Sequence, residues 1–158
     1  MSVISIAIAM QHLLAEPEDQ TLVQAMLEAA EESASQYMQR RFYADQASLD
    51  AAAALVPAAF SATRTRYEQA VAAAEQVENL DDRRDALNRA AQAFENERAE
   101  VEMQAGGMVV NPAIQAACLL ILGHLFANRE DVATGVTVAE LPMGSRHLLG
   151  PYRIRMGV

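Results

Sequence analysis

The chain has no lysine, no tryptophan and only one cysteine. All twelve basic residues are arginine, and with four Phe and four Tyr the large aromatic side chains that anchor interfaces are scarce. Because Cys118 stands alone, it cannot form a disulfide within the chain, and it indicates a reducing compartment. Five prolines and seven glycines in 158 alanine-rich residues favour helices in one domain.

Positive charge is also in short supply, since the formal net charge is −9. Holding phosphates requires clustered cations, so this balance argues against a surface that grips nucleic acid. It leaves open a wall past which DNA slides, where negative charge prevents sticking. The N-terminus lacks the basic stretch and the cleavage site of a signal peptide, and the longest apolar run falls short of the roughly 20 residues of a membrane span. We therefore expect a soluble cytoplasmic protein without membrane contact.

Apolar spacing predicts an all-α protein, a small helical bundle with a long central αα-hairpin and an extended C-terminal docking segment. A short first helix follows Ser5, and a second covers residues 20–41, with its two arginines at the negative pole. Asp45 is placed to cap a third helix, which Pro57 ends or bends near residue 55. The domain division is a helical domain at 1–139, with 58–105 as a hairpin insertion, and a docking segment and tail at 140–158.

The hairpin is inferred from residues 58–105, which contain no Gly or Pro. One apolar stripe contains Phe60 and Tyr67, whereas another, from Leu80 to Phe94 and beyond, repeats every seven residues. In one continuous helix these stripes would lie on different faces, so we place a break at 79–82, with Asn79 or Asp81 as the cap. The hairpin either packs on the core or on its own partner helix, or it projects to contact a neighbouring subunit.

The most apolar segment is residues 111–129, a buried helix that Asn111 caps and Pro112 begins. After it we expect a loop around Gly135, a single helical turn that Ser145 caps and that runs through Leu149, and a terminal strand or tail at 152–158. No arrangement of nucleophile, base or metal ligands is present, because the three histidines are far apart, and Cys118 and His124 point to different helix faces. We expect no enzymatic activity, no metal and no cofactor.

Two charged groups leave alternatives open. The carboxylates of Glu95, Glu97, Glu100 and Glu102 form either a solvated face or an acidic channel wall or docking patch. Arg129 and Glu130 form either the frayed end of the buried helix, or a pair that fixes the next loop or crosses a subunit boundary.

Several motifs resemble the head–tail connector (adaptor) proteins of tailed bacteriophages, a family also described as DNA-packaging proteins. They are AACLLILGHLFANRE at 116–130, ELPMG at 140–144, LL at 148–149 and PYR at 151–153. The family pattern is a helix closing in H-x-x-x-N-R-E, then E-L-P-x-G and L-L-x-P-Y-R, and the order here is the same. Residues 3–42 are similar as well. Residues 47–107 are longer than the corresponding part of typical members, and Met38 and Gln39 stand where the family has Thr-Gly.

The resemblance implies a structural virion protein, assembled in the host cytoplasm and located in the neck of the particle. Copies of it would form a ring, a dodecamer, below the portal protein, extend the DNA channel without sequence-specific binding, and join the head to a stopper or tail-completion protein. The alternative is a small acidic helical regulator that binds one partner and has no enzymatic activity. The candidate residues for portal docking and for contacts between subunits are Arg129, Glu130, Glu140, Leu141, Pro142, Met143, Leu148, Leu149, Pro151, Tyr152 and Arg153.

Overall fold

The computed structural model describes residues 2–128 and 143–154, and it confirms the all-α class. The helices are α1 (Ile6–Leu13), α2 (Gln20–Met38), α3 (Gln46–Glu75), α4 (Leu80–Ala105), α5 (Pro112–Ala127) and α6 (Met143–Leu149), with 3-10 turns at Pro17–Asp19 and Gly150–Tyr152. Two short parallel strands, β1 (Phe42–Tyr43) and β2 (Met108–Val109), pair Phe42 with Met108.

The core of the bundle forms around α5, which packs against α2 and α6, while α1 packs against both α2 and α5. The predicted start of α5 is confirmed, because Asn111 Oδ1 accepts the Ile114 amide at 2.9 Å and Pro112 is the first helical residue. Cys118 and Leu122 are fully buried in this core. Leu120, expected on a buried face, is 44% exposed, so one side of α5 faces solvent.

The predicted end of α2 is wrong by three residues. The helix stops at Met38 because Gln39 adopts a left-handed backbone conformation, with φ of 57°. Arg40 then turns back: its amide donates to the Ser35 carbonyl, and its own carbonyl accepts the Ser35 hydroxyl at 2.7 Å. Arg40 and Arg41 therefore lie beyond the helix, where their side chains reach other elements.

The predicted helix end near residue 55 is also wrong, because α3 is one helix of 30 residues that contains Pro57. Proline has no N–H, so the carbonyl four residues earlier, that of Ala53, loses its partner within the helix. Ala53 and Pro57 are both exposed, so water can hydrate that carbonyl. The hairpin consequently begins at Gln46 rather than at residue 58.

The break between α3 and α4 is confirmed, with Asn79 Oδ1 accepting the amides of Asp81 and Asp82 at 2.9 and 3.2 Å. The two helices, hereafter the arm, pack on each other along a seam spaced by three or four residues, as in an antiparallel coiled coil. Phe60 and Leu80, assigned to the apolar stripes, are 36% and 75% exposed. The seam contains Leu49, Ala52, Val56, Ala59, Thr63, Tyr67, Val71 and Ala74 of α3, and Arg83, Leu87, Ala90, Phe94, Glu97 and Val101 of α4.

The two helices of the arm pack on each other rather than into the bundle. Among the described residues, α3 and α4 contribute nothing to the main buried cluster, and outside the pair α3 packs on β1 and β2. At 1.5 Å per residue the helices are about 40 Å long. The arm therefore projects from the bundle as a rod attached at one end.

The base of the arm is a junction built from residues 40–43. The Arg41 amide donates to the Met103 carbonyl and the Arg41 carbonyl accepts the Met108 amide, both at 3.0 Å. The Arg41 guanidinium forms ion pairs of 2.6 Å with Glu32 of α2 and with Glu100 of α4. Gly107 allows close packing here, because a β-carbon at this position would lie 2.8 Å from the Tyr43 ring. These contacts fix the arm to α2.

The C-terminal segment is helical where it is described, not extended. Ser145 is a fully buried residue inside α6 rather than its cap, because the helix begins two residues earlier, at Met143. The expected loop around Gly135 and the strand or tail at 155–158 lie outside the described residues. None of the helices within 2–128 and 143–154 combines the length and apolar character needed to cross a membrane.

Candidate docking surfaces

The two faces of α6 divide the predicted docking residues into anchors and exposed groups. Leu149 is fully buried in the core of this chain, and Leu148 packs partly against the same core. In contrast, Met143 is 88% exposed and lies at the start of the helix. Leu149 thus holds the segment on α5, and Met143 is available to a partner.

The start of α6 lies close to an exposed leucine of α5. Leu120 is exposed on the solvent side of α5, and a β-carbon at Gly144 would lie 3.7 Å from Leu120 Cδ1, which is ordinary van der Waals contact. We call Leu120, Met143 and Gly144 the α5–α6 patch. Sequence reasoning missed Leu120, and its only signal was a leucine on a helix that is apolar on every side. Both apolar side chains of this patch, Leu120 and Met143, are exposed to solvent.

Backbone contacts attach the end of the C-terminal segment to the end of α2. The Ile154 amide donates to the Met38 carbonyl at 3.1 Å. The Arg40 guanidinium donates to the Gly106 carbonyl at the base of the arm and, at 3.5 Å, to the Tyr152 carbonyl. Arg40 therefore ties the arm and the C-terminal segment together, a role that its position near the end of α2 did not reveal.

The Pro-Tyr-Arg sequence has a mixed exposure. Tyr152 is half-buried against the core, whereas Pro151 and Arg153 are exposed. The Arg153 guanidinium lies 5.1 Å from the centre of the Tyr37 ring, a cation–π distance. The remaining predicted interface residues, Arg129, Glu130, Glu140, Leu141 and Pro142, lie outside the described residues.

The four glutamates of α4 form ion pairs rather than a bare acidic surface. The Glu97 carboxylate lies 2.7 Å from the Arg66 guanidinium, and its hydrogen bonds with Arg66 lower the pKa of the Glu97 carboxyl. Glu100 lies 2.6 Å from Arg41. Glu95 and Glu102 share Arg98, at 3.9 and 2.8 Å. Exposed pairs of this kind contribute little to stability, but they reduce the negative charge at the base of the arm.

A buried carboxylate that the sequence reasoning passed over holds the N-terminal segment. Glu31 is 8% exposed and accepts the Ser2 hydroxyl at 2.6 Å and the Ile4 amide at 2.8 Å. The Val3 amide donates to both of its oxygens, at 3.1 and 3.0 Å. The available signal was position: Glu31 lies four residues after Leu27, on the apolar stripe of α2. Its bonds explain why Ile4 can be buried ahead of α1.

Within the described residues, Cys118 is a buried thiol and His124 lies on an exposed part of α5. Burial raises the pKa of the Cys118 thiol to about 12, with a smaller contribution from Glu31, so the nucleophilic thiolate is disfavoured. His124 is exposed, and its Nδ1 lies 3.3 Å from the Asn128 amide nitrogen. Across 2–128 and 143–154 no three His, Cys, Asp or Glu residues are grouped as metal ligands would be.

Comparison of the chain with models of protein families, with curated proteins and with solved structures found no match.

Proposed function

We propose that this chain is a head–tail connector subunit, which forms a ring below the portal protein of a tailed bacteriophage. The observation that carries the proposal is the motif set at 116–130, 140–144, 148–149 and 151–153, which has the order found in that family. The ring would be a dodecamer of this chain in the neck of the virion. It would extend the DNA channel and bind a stopper or tail-completion protein on its other side.

The arrangement of α6 supports a docking role for the C-terminal segment. A docking element needs side chains that fix it to its own fold and others that remain available to the partner. Leu149 and Ser145 provide the first group, because both are fully buried, and Met143, Pro151 and Arg153 provide the second, because they are exposed. Methionine and arginine are among the residues enriched in protein interfaces. We assign portal binding to the α5–α6 patch together with Pro151 and Arg153.

Charge supports a channel through which DNA passes without being retained. The chain carries a formal net charge of −9, and in the described part several of its arginines are already paired with glutamates. A surface with few free cations does not release many counterions from DNA, so its affinity for DNA is low.

The experiment is a reconstitution of this chain with the portal protein of the same phage. Met143→Glu places a charge in the α5–α6 patch and should weaken portal binding at least tenfold, which we would measure by biolayer interferometry. Leu80→Glu is the matched control, because Leu80 is also exposed, at 75%, but lies at the tip of the arm. Circular dichroism should show that both variants keep the helical content of the parent protein. Equal portal affinity of the two variants would contradict the assignment of the patch.

Electron microscopy of the complex separates the ring from the alternative of a small partner-binding regulator. A connector gives a closed ring of copies on the portal, and a regulator gives one or two copies bound to a different protein. A portal complex without a closed ring would reject the proposed function.

A further inference from the structure

A groove of about 650 Å³ lies on the arm between α3 and α4. Its apolar part is formed by Phe60, which is 36% exposed, and by Phe94, whose ring stacks obliquely on Tyr67. Polar and charged side chains form the remaining wall. The full lining is Phe60, Ser61, Thr63, Arg64, Phe94, Arg98 and Glu102.

One cation of this groove has no acidic partner. Arg64 is exposed and, within the described residues, forms no ion pair, whereas its neighbours Arg66 and Arg98 are each paired with glutamates. Residues 51–63 of α3, which precede Arg64, contain no charged side chain. Within this stretch Leu55 is 62% exposed. The groove therefore suits a partner segment that presents an apolar side chain next to a carboxylate.

The turn between α1 and α2 presents such a segment. Leu14 is 89% exposed, and its backbone is left-handed, with φ of 51°. A position of this kind favours glycine, so a leucine here is both strained and solvent-exposed, which points to a role outside the local fold. Glu16 and Glu18 follow directly, are exposed, and form no ion pair within the described part of the chain.

We propose that the turn at residues 14–18 of one copy occupies the α3–α4 groove of the next copy. Leu14 contacts Phe60 and Phe94, and the carboxylates of Glu16 and Glu18 pair with Arg64. The occupant is a second copy of this chain, because the groove and the turn are complementary in charge and in apolar character. Within one molecule α1 does not pack on the arm in the described residues.

This contact joins two different surfaces, and a heterologous contact of that type produces rings when its rotation closes. The inference thus depends on the proposed ring and identifies the contact that forms it. It also gives a role to the arm, the part of the chain that departs most from the family pattern.

A charge-reversal cycle tests the pairing. Arg64→Glu should reduce ring formation on the portal at least tenfold, measured as the chain concentration needed to fill half of the portals in electron micrographs. Combining Arg64→Glu with Glu16→Arg and Glu18→Arg should restore assembly to within about threefold of the parent, because the opposite charges face each other again. The matched control is Arg84→Glu, which makes the same charge change at an exposed arginine near the tip of the arm. Assembly of the Arg64 and Arg84 variants at equal concentration would overturn the inference.

Cross-linking supplies a second, independent readout. A chain carrying Pro17→Cys and Ser61→Cys should give a ladder of covalent oligomers with a bis-maleimide, while each single variant should stop at the dimer or below. Cys118 should not interfere, because it is fully buried. If the parent chain forms no ring on the portal, the proposed function fails. If the ring forms but the double-cysteine chain gives no ladder and Arg64→Glu has no effect, only this contact fails.

Discussion

Replacing Glu31 with alanine tests how the bundle holds its N-terminal segment. The Glu31 carboxylate is 8% exposed and receives the hydroxyl of Ser2 and the amides of Val3 and Ile4, at distances of 2.6 to 3.1 Å. Ile4 itself is 4% exposed, so water does not readily replace the lost acceptor at its amide. The substitution leaves two backbone N–H groups unpaired unless the segment detaches from α2.

The magnitude follows from those two outcomes. Leaving a buried donor unpaired costs about 1–3 kcal/mol, so two donors give roughly 3 kcal/mol. Detachment instead loses the burial of the Ile4 side chain, which is worth about 1.5–3 kcal/mol. The cheaper route determines the outcome, so the free energy of unfolding should fall by about 2–3 kcal/mol. Glu31→Gln should cost only about 1 kcal/mol, because an amide oxygen in the place of Oε1 retains the bonds from Ser2, Val3 and Ile4.

Urea unfolding followed by far-ultraviolet circular dichroism measures these differences, and the slope against urea shows whether the folded state has loosened. Hydrogen exchange at the Val3 and Ile4 amides reports detachment directly, because it should accelerate in Glu31→Ala while the exchange of α5 amides follows global stability. Glu68→Ala, at an exposed carboxylate of the arm, is the control and should change stability by less than about 0.5 kcal/mol. A Glu31→Ala variant as stable as Glu68→Ala would refute this account of the N-terminal segment.

Two further variants test the core and the seam of the arm. Burial raises the pKa of the Cys118 thiol to about 12, whereas the unfolded thiol titrates near 8.5; its stabilising contribution is therefore complete below pH 8.5 and declines as pH rises towards 12. The stability of the parent protein relative to Cys118→Ala should fall by about 2 kcal/mol between pH 7 and 10 in urea titrations, and a constant difference would contradict it. Tyr67→Ala removes a ring contact of 4.8 Å between centroids with Phe94 and should cost about 2 kcal/mol, with faster protease cleavage within the arm. Phe60→Ala removes a more exposed ring and should cost less than about 1 kcal/mol. Equal losses of stability in the Tyr67 and Phe60 variants would show that the contact between Tyr67 and Phe94 does not stabilise the arm.

Local signals predicted the parts of the fold that depend on neighbouring residues. Asp45, Asn79 and Asn111 each accept backbone amides at a helix start, as their side chains and positions indicated. The phase change between two apolar stripes located the turn of the hairpin for the same reason. Such signals require only one helical turn of sequence, so a single chain contains them.

Features that depend on distant residues could not be predicted in this way. Pro57 remains inside α3 because the lost hydrogen bond faces solvent, and the sequence does not show which face that is. Glu97 and Arg66 are 31 positions apart, so their pairing requires the packed arm. Leu149 was assigned to docking because of its motif, but its burial became visible only when α6 was placed on α5. Periodicity locates a helix more reliably than it locates that helix's partners.

Because the arm is attached to the bundle at one end, its length can change while the bundle stays the same. The paired strands β1 and β2 lie at the base of the arm, so both ends of the hairpin are held at the same place. The seam residues of α4 repeat every seven positions. One heptad can therefore be removed from each helix while the flanking seam residues stay on the same face. Each such step moves the tip by about 10.5 Å without changing a contact in the bundle. The distance between the bundle and Leu80 is therefore set by the number of heptads in the arm.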